Sequence, residues 1–332
     1  MNAPAAAGPD VRSVPQQATA AYSTEQRRAA VSPRARPATA AWQAGRRDPV
    51  MVDGYRLVAP LGTGGMADVF TATSPTGEVV AVKILRAVAG AAPTCGREFG
   101  LTRAAGPDVT APALAHGISA AGAYLVTAYL PDHRCATELA GDAMPADQLL
   151  AFGSALARAL ATIHARGVVH RDVKPANLLL RGDDLRLIDF GIARYVDEPR
   201  QDDGTVRCSP SWAAPEQRLG APETPAVDVF AWGCVLACLA TGRHPEPDDD
   251  GAQQGWTDRS ASRSTAPAAL RAMIHAALAA DPVDRPSARQ IATSCTDQRT
   301  ASRRRILSGF VDRGAAGVDR LPPLPTVLPR TR

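Results

Sequence analysis

Alternating apolar and polar positions predict β-structure in the first half of the chain. The predicted strands cover residues 55–58, 68–73, 79–85 and 124–130. The first three follow one another across short turns, which indicates an antiparallel meander. A short helix is predicted over residues 97–105, and it must end at Gly106-Pro107 because this pair does not continue a helix.

From Pro145 onward the apolar spacing becomes helical. Residues 146–165 carry large apolar side chains about every 3.6 positions, which predicts an amphipathic helix. Residues 227–240 are apolar almost throughout and predict a buried helix, but they include Asp228 and are too short to cross a bilayer, so we expect no membrane span. The pattern therefore indicates an α+β fold, with a β-rich lobe followed by a larger, mainly helical lobe.

The two ends of the chain differ in composition from this middle part. Residues 1–52 are rich in alanine, proline and arginine and poor in large aliphatics, and residues 298–332 are similarly basic and proline-rich. Such segments cannot bury enough apolar surface to offset their ordering entropy, so we expect disordered tails. The predicted domain then covers residues 53–297, with an N-terminal lobe over 53–130 and a C-terminal lobe over 131–297.

Charge and cysteine usage narrow the functional classes. The formal net charge of +4 is small for 332 residues, and it gives no strong case for nucleic acid or an anionic membrane as a partner. An arginine-rich nucleic-acid binder is an alternative that only the tails support. The six cysteines form no Cys-x-x-Cys pair, so we expect free thiols, a reducing compartment and a cytoplasmic location.

The choice between lysine and arginine is the first chemical signal. Of 37 basic residues only Lys83 and Lys174 are lysines. Lys83 closes Val80-Ala81-Val82-Lys83, and Lys174 lies in the polar stretch that begins at His170. A compact ammonium fits among phosphate oxygens where a wide, planar guanidinium does not. The two lysines therefore indicate phosphate chemistry at these two places.

A glycine-rich loop, Gly62-Thr63-Gly64-Gly65-Met66-Ala67-Asp68-Val69, lies between two predicted strands. Glycines let a backbone approach phosphates and present its N–H groups. The loop alone is weak evidence, because it also describes an ordinary hairpin. Since it opens a strand and not a helix, it argues against a dinucleotide fold or a Walker loop.

A second polar motif is more specific. Asp172 follows His170-Arg171, Asn177 lies five residues later, and Asp189-Phe190-Gly191 comes after a short hairpin. A carboxylate such as Asp172 can accept the proton of an attacking hydroxyl. Asn177 and Asp189 offer the hard oxygen ligands that Mg²⁺ prefers.

With Ala214-Pro215-Glu216 added, the ordered motifs make residues 53–295 resemble a eukaryotic-type (Hanks-type) serine/threonine protein kinase of the kind that bacteria also carry. The resemblance implies a bilobal protein kinase fold, whose small antiparallel β-rich N-lobe carries one helix, helix C. It implies ATP as phosphate donor, Mg²⁺ or alternatively Mn²⁺ as the metal, and protein serine or threonine hydroxyls as acceptors.

The same resemblance assigns roles to individual residues. Lys83 would bind the α- and β-phosphates and pair with a helix C glutamate, for which Glu98 is the candidate. The glycine loop would cover the phosphates, three apolar side chains would enclose the adenine, and a gatekeeper and the hinge would line its edge. The implied nucleotide contacts are Gly62, Gly64, Gly65, Val69, Ala81, Lys83, Thr127, Ala128, Leu130 and Leu179.

The implied catalytic and metal residues are Asp172, Lys174, Lys83, Glu98, Asn177 and Asp189. Lys174 favours serine/threonine over tyrosine specificity, because in serine/threonine members it reaches the transferred phosphate. Ser209 takes the place of a hydroxyl that bridges Asp172 and Lys174. Arg171 would pair with a phosphate on the activation segment, with Thr205 as the expected acceptor, which implies autophosphorylation and self-association.

Two further alternatives remain beside a protein kinase. A pseudokinase scaffold would lack Lys83, Asp172, Asn177 or Asp189, and all four are present. A small-molecule phosphotransferase of similar fold is disfavoured by the combination of Asp-Phe-Gly with Ala-Pro-Glu. The chain departs from the family pattern at Ala67, in place of the third loop glycine, and at the hinge, but no departure removes a catalytic group.

Overall fold

The computed structural model describes residues 50–63, 67–85, 91–139, 141–198, 207–244 and 264–297. The first strands are β1 (Met51–Val52), β2 (Tyr55–Thr63), β3 (Ala67–Thr73), β4 (Val79–Leu85), β5 (Ala113–Ser119) and β6 (Gly122–Ala128). They form one antiparallel sheet in the order β1-β2-β3-β4-β6-β5. Helix α1 (Ala91–Ala105) packs on this sheet through a small apolar cluster that includes Cys95 and Leu125. These elements are the N-lobe.

The rest of the described chain is mainly helical. Its helices are α2 (Ala146–Ala165), α3 (Pro215–Arg218), α4 (Ala226–Thr241), α5 (Ala268–Ala277) and α6 (residues 288–297). Short strands β7 (Arg134–Cys135), β9 (Leu178–Arg181) and β10 (Asp184–Leu187) form one small sheet, and β8 (Val168–Val169) pairs with β11 (Arg194–Tyr195). The catalytic-loop motif lies between β8 and β9, and is therefore held at both ends by strands.

Helix α4 is the centre of the larger lobe. Every residue from Val227 to Ala240 is buried, as the continuous apolar run predicts. The Trp232 indole donates to the Gly153 carbonyl of α2 at 2.9 Å, and a Cβ on Gly153 would lie 3.0 Å from Leu236. The two helices therefore pack closely. Helix α4 also carries Asp228, which binds the backbone of the catalytic loop. No helix in the described part of the chain is long and apolar enough to span a bilayer.

The sequence-based boundaries need three corrections. Met51–Val52, assigned to the first tail, forms β1 and pairs with β2, and Val52 is fully buried. Helix α1 begins at Ala91 and not at residue 97, because Pro93 and Gly96 hide the helical pattern of its first part. The predicted strand 124–130 is shifted, since ladder pairing in β6 runs from Gly122 to Ala128. The other tail residues lie outside the described residues.

Strand β5 was not predicted at all. Its sequence has few β-branched residues and contains Gly117. A Cβ at Gly117 would lie 2.6 Å from the hydroxyl of Tyr124 on the paired strand β6, so the glycine is needed for this approach. Gly117 weakens the strand pattern of β5, but the position of Tyr124 on β6 requires a glycine there.

Candidate active site

Lys83 is the centre of an ion-pair cluster between the two lobes. It lies on β4, opposite Val69 on β3 and Leu125 on β6. Its Nζ donates to Glu98 Oε1 at 2.6 Å, to Glu98 Oε2 at 2.9 Å and to Asp189 Oδ1 at 2.7 Å. The cluster therefore joins strand β4, helix α1 and the Asp-Phe-Gly segment.

Electrostatics keep this lysine charged. Burial alone would lower the pKa of Lys83, but Glu98 and Asp189 outweigh it and raise the pKa to about 12. Burial would raise the pKa of Asp189, yet Lys83 holds it below its ordinary value. Burial raises the pKa of Glu98, which is 3% exposed, against the opposing effect of Lys83. A fixed ammonium next to an ionised carboxylate suits the recognition of a phosphate–metal group.

Asp228 of helix α4 binds the backbone of the catalytic loop. Its carboxylate accepts the His170 N–H at 2.9 Å and the Arg171 N–H at 2.8 Å, and it contacts His164 Nε2 at 2.8 Å. Burial would raise the pKa of Asp228, but the bond from His164 and the adjacent donors lower it. Arg171 has a φ of 69°, a left-handed conformation that costs a non-glycine residue about 1–2 kcal/mol. The two backbone N–H bonds that Asp228 accepts keep the loop in this strained form.

Asp172 accepts three side-chain hydrogen bonds. Lys174 Nζ donates to Oδ2 at 2.7 Å, and Asn177 Nδ2 donates to the same oxygen at 3.0 Å. Ser209 Oγ donates to Oδ1 at 2.7 Å and accepts from Lys174 Nζ at 2.7 Å. The structure thus brings together residues that are up to 37 positions apart in the sequence. A carboxylate held in this way is positioned to orient and deprotonate a hydroxyl.

Asn177 and Asp189 fit a divalent metal by their chemistry. The Asn177 amide nitrogen is engaged with the Asp172 carbonyl at 2.8 Å, so its oxygen is the atom left to act as a ligand. Asp189 has a φ of 66°, and its Oδ1 also accepts the Gly191 N–H at 3.3 Å. No cluster of three or more His, Cys, Asp or Glu side chains occurs among the residues that the structure describes. Two hard oxygen ligands are enough for Mg²⁺, which usually takes the rest from phosphates and water.

Several expected nucleotide residues lie on the strands around Lys83: Val69 pairs with Lys83, and Ala81 pairs with Thr127. Gly62 pairs with Val69 near the end of the β2–β3 ladder, and a Cβ there would meet no protein atom within 4 Å. The apolar and hinge side chains are half-buried, and the Ala128 N–H donates to the Pro112 carbonyl at 2.9 Å. Gly64 and Gly65 lie outside the described residues. The half-buried residues are Val69, Ala81, Leu179, Thr127, Ala128 and Leu130.

Arg171, the residue expected to pair with a phosphate on the activation segment, lies in the described part of the chain. Thr205, the expected phosphate acceptor, lies outside the described residues. The guanidinium of Arg171 is bound by the carboxylate of Glu223, with Nη2 2.7 Å from Oε1, and its Nη1 donates to the Ile192 carbonyl at 2.9 Å. The carboxylate of Glu223 is therefore a counter-ion of Arg171.

Sequence reasoning missed two other contributors to the site. Gln217 donates to the Arg171 carbonyl at 3.0 Å, directly after the Ala-Pro-Glu motif. Arg97, the neighbour of Glu98 on α1, binds Glu198 at 2.5 Å and the Ala193 carbonyl at 2.6 Å. No local pattern marks these residues as partners, because each contact joins segments that are distant in sequence.

Comparison with known proteins agrees with this geometry. The family described as Protein kinase domain matches residues 55–295, so the chain belongs to the protein kinase family. The kinase domain of Mycobacterium tuberculosis PknI, a solved structure, is 26% identical with a TM-score of 0.59, covering 76% of this chain and 99% of that one. These matches confirm the bilobal kinase fold predicted from the sequence.

Curated relatives are bacterial serine/threonine kinases. The probable serine/threonine-protein kinase PkwA of Thermomonospora curvata is 38% identical over 206 residues, which are 60% of this chain and 28% of PkwA. The serine/threonine-protein kinase Pkn2 of Myxococcus xanthus is 33% identical over 212 residues, 60% of this chain and 26% of Pkn2. The chain therefore spans about a quarter of the length of these relatives.

Proposed function

We propose that this chain is an ATP-dependent protein kinase that transfers the γ-phosphate to serine and threonine hydroxyls of proteins. The observation that carries the proposal is the triangle of Asp172, Lys174 and Ser209, with each pair 2.7 Å apart. It places a proton acceptor and an ammonium side by side, next to the segment that follows the Asp-Phe-Gly motif. The names of the bacterial relatives support the same substrate class.

In the proposed reaction the acceptor hydroxyl displaces Ser209 or Lys174 from one oxygen of Asp172 and hydrogen-bonds there. As the hydroxyl oxygen attacks the γ-phosphorus, its proton passes to Asp172, and the bond from the γ-phosphorus to the bridging oxygen breaks to release ADP. Lys174 neutralises charge on the transferred group, and Lys83 orients the α- and β-phosphates. Each role follows from the position of a charged group already held in place by its neighbours.

Asn177 and Asp189 would hold Mg²⁺, with Mn²⁺ as the alternative. A bound ion supplies charge neutralisation on the phosphate oxygens. The chain's own contribution is to orient both ligands, through Asp172 for Asn177 and through Lys83 for Asp189. The hard-oxygen donor set is what supports Mg²⁺ over a softer metal.

The two rival functions have less support. A pseudokinase scaffold would not need the Asp172 network or the Lys83–Glu98 salt bridge, both of which are intact. A small-molecule phosphotransferase would not need a segment after the Asp-Phe-Gly motif to contact the catalytic carboxylate. Here Ser209 of that segment donates to Asp172.

The test is transfer of labelled γ-phosphate from ATP to a generic basic protein in the presence of Mg²⁺, followed by phosphoamino acid analysis. We expect label on serine and threonine, and none above background with Asp172→Asn. Transfer that is equal in parent and variant, or absent in both, would exclude the proposal. Label on a small-molecule acceptor alone would favour the phosphotransferase.

Lys83→Arg should reduce kcat on the order of 10²-fold although it conserves the charge, because a misplacement of about 1 Å is enough for such a loss. The guanidinium is too wide to bind Glu98 and Asp189 at the present distances and still reach phosphates. Initial rates and thermal melting would be measured beside Arg134→Lys, an opposite exchange at an exposed ion pair. A kcat within about threefold of the parent would contradict the inference that Lys83 is a lysine because it must fit among phosphates.

Other expectations stay predictions. We propose a cytoplasmic location, supported by six cysteines that are all free. Protein substrates, self-association and phosphorylation of Thr205 are proposed from the family likeness.

A further inference from the structure

Two arginine–carboxylate pairs lie at the two ends of the activation segment. Near its start Arg97 of α1 binds Glu198 through Nε at 3.2 Å and Nη2 at 2.5 Å. Beyond its end Arg171 of the catalytic loop binds Glu223, which lies between α3 and α4, through both Nε and Nη2. Both arginines therefore already have a carboxylate as their counter-ion.

The Arg171–Glu223 pair is well shielded from water. The two side chains are 16% and 11% exposed, and both carboxylate oxygens accept from the guanidinium. A half-buried guanidinium needs a counter-charge, because removing one partner of such a pair leaves an uncompensated charge. A phosphate on the activation segment was the expected source of that charge. Glu223 supplies it with a two-point geometry that is specific to arginine.

Arg171 transmits this contact to the reacting groups. Its backbone N–H is bound by Asp228 and its carbonyl by Gln217. The backbone is therefore fixed, and only the position of the side chain depends on Glu223. Its Nη1 holds the Ile192 carbonyl, three residues beyond Asp189, and Asp172 follows it directly in the chain. The position of the guanidinium thus bears on the catalytic carboxylate and on a candidate metal ligand together.

We propose that Glu223 is a positioning residue that replaces an activation-segment phosphate as the counter-ion of Arg171, so that catalysis does not depend on phosphorylation of that segment. The inference rests on the proposed kinase function. It departs from the switch at Thr205 that the family resemblance implies. Glu223 does not touch substrate and acts through Arg171.

The first experiment uses the parent protein. It is treated with a broad-specificity phosphatase, freed of the phosphatase, and shown to be unphosphorylated by intact mass. Initial rates on a generic basic protein are compared with those of enzyme preincubated with ATP and Mg²⁺. We expect no lag and rates within about twofold, and Thr205→Ala should behave as the parent does. A lag with a rate at least about tenfold lower in the unphosphorylated enzyme would overturn the proposal.

The second experiment removes the counter-ion. Glu223→Gln keeps the shape and loses the charge, and Glu223→Ala opens a cavity. We expect kcat to fall by about tenfold or more in both. The KM for ATP should stay within about threefold, because Lys83 keeps its own bonds to Glu98 and Asp189 in both variants. Glu138→Gln is the matched control, since it neutralises an exposed glutamate paired with Arg134 outside the site. Formate should restore part of the kcat of Glu223→Ala and should not affect Glu223→Gln.

The outcomes separate this inference from the function on which it rests. If the parent transfers no more phosphate than Asp172→Asn, the kinase proposal fails. If the parent is active but both Glu223 variants keep kcat within about twofold, Glu223 is not a positioning residue and the inference fails alone. Should the Glu223 variants not fold, the comparison of phosphorylated and unphosphorylated parent still decides.

Discussion

Replacing Asp172 by asparagine should lower kcat for protein phosphorylation on the order of 10²–10⁴-fold, the usual contribution of a positioned proton acceptor. The variant keeps the size and one acceptor oxygen of the side chain, so the bond from Lys174 can remain while the Ser209 hydroxyl turns to accept from the new amide. It loses the negative charge that accepts the hydroxyl proton. The KM for ATP should stay close to that of the parent, because Lys83 and its partners are a separate cluster.

The measurement is steady-state kinetics with varied ATP and varied protein acceptor. Asp142→Asn, a change at an exposed loop aspartate, is the matched control and should leave both constants unchanged. A raised KM for ATP with an unchanged kcat would contradict the assignment, since it would place Asp172 in nucleotide binding and not in the chemical step.

Arg285→Met should lower the free energy of unfolding by about 3–5 kcal/mol, because it leaves the Glu216 carboxylate buried without its partner. The pair is bidentate, at 2.6 and 2.9 Å, and both residues are 7% exposed. The remaining donors of Arg285 bind the carbonyls of Ala226, Ala279 and Ala280. Losing the arginine therefore also leaves three backbone acceptors without this partner.

Urea denaturation would give the unfolding free energy of Arg285→Met, Glu216→Leu and the double variant. The double variant should be less destabilised than the sum of the single changes, because no buried charge is left in it. Strict additivity would contradict the proposed coupling. Glu138→Gln, at an exposed pair, should change stability by less than about 1 kcal/mol.

Much of the fold was predictable because its elements have clear periodicity. Helix α2 and strand β4 begin and end where the pattern predicts, since their apolar spacing is regular and their neighbours are turns. Strand β5 and the start of α1 were missed where glycines weaken the local signal. At Gly117 the reason is tertiary: only the position of Tyr124 explains why the strand tolerates a glycine.

The candidate site divides in the same way. The motif residues Lys83, Asp172, Asn177 and Asp189 carry their chemistry in short, ordered patterns, so a single sequence is enough to select them. The partners that hold them are single charged or amide residues such as Glu223 and Gln217, whose significance depends on contacts across 46 to 52 positions of sequence. Periodicity and motif spacing do not report such contacts.

The scarcity of lysine has a practical consequence for covalent chemistry. Both lysine side chains of the sequence lie in the candidate site. The Lys83 amine donates to Asp189, and the Lys174 amine donates to Asp172. Acylating a lysine of this chain is therefore the same event as blocking its active site. The amine of Lys83, whose pKa is raised to about 12, is almost entirely protonated at neutral pH and a poor nucleophile. Reagents that modify surface lysines of most proteins would find no lysine on the exterior of this domain, so its surface can be labelled through other groups while lysine modification reports on the cleft alone.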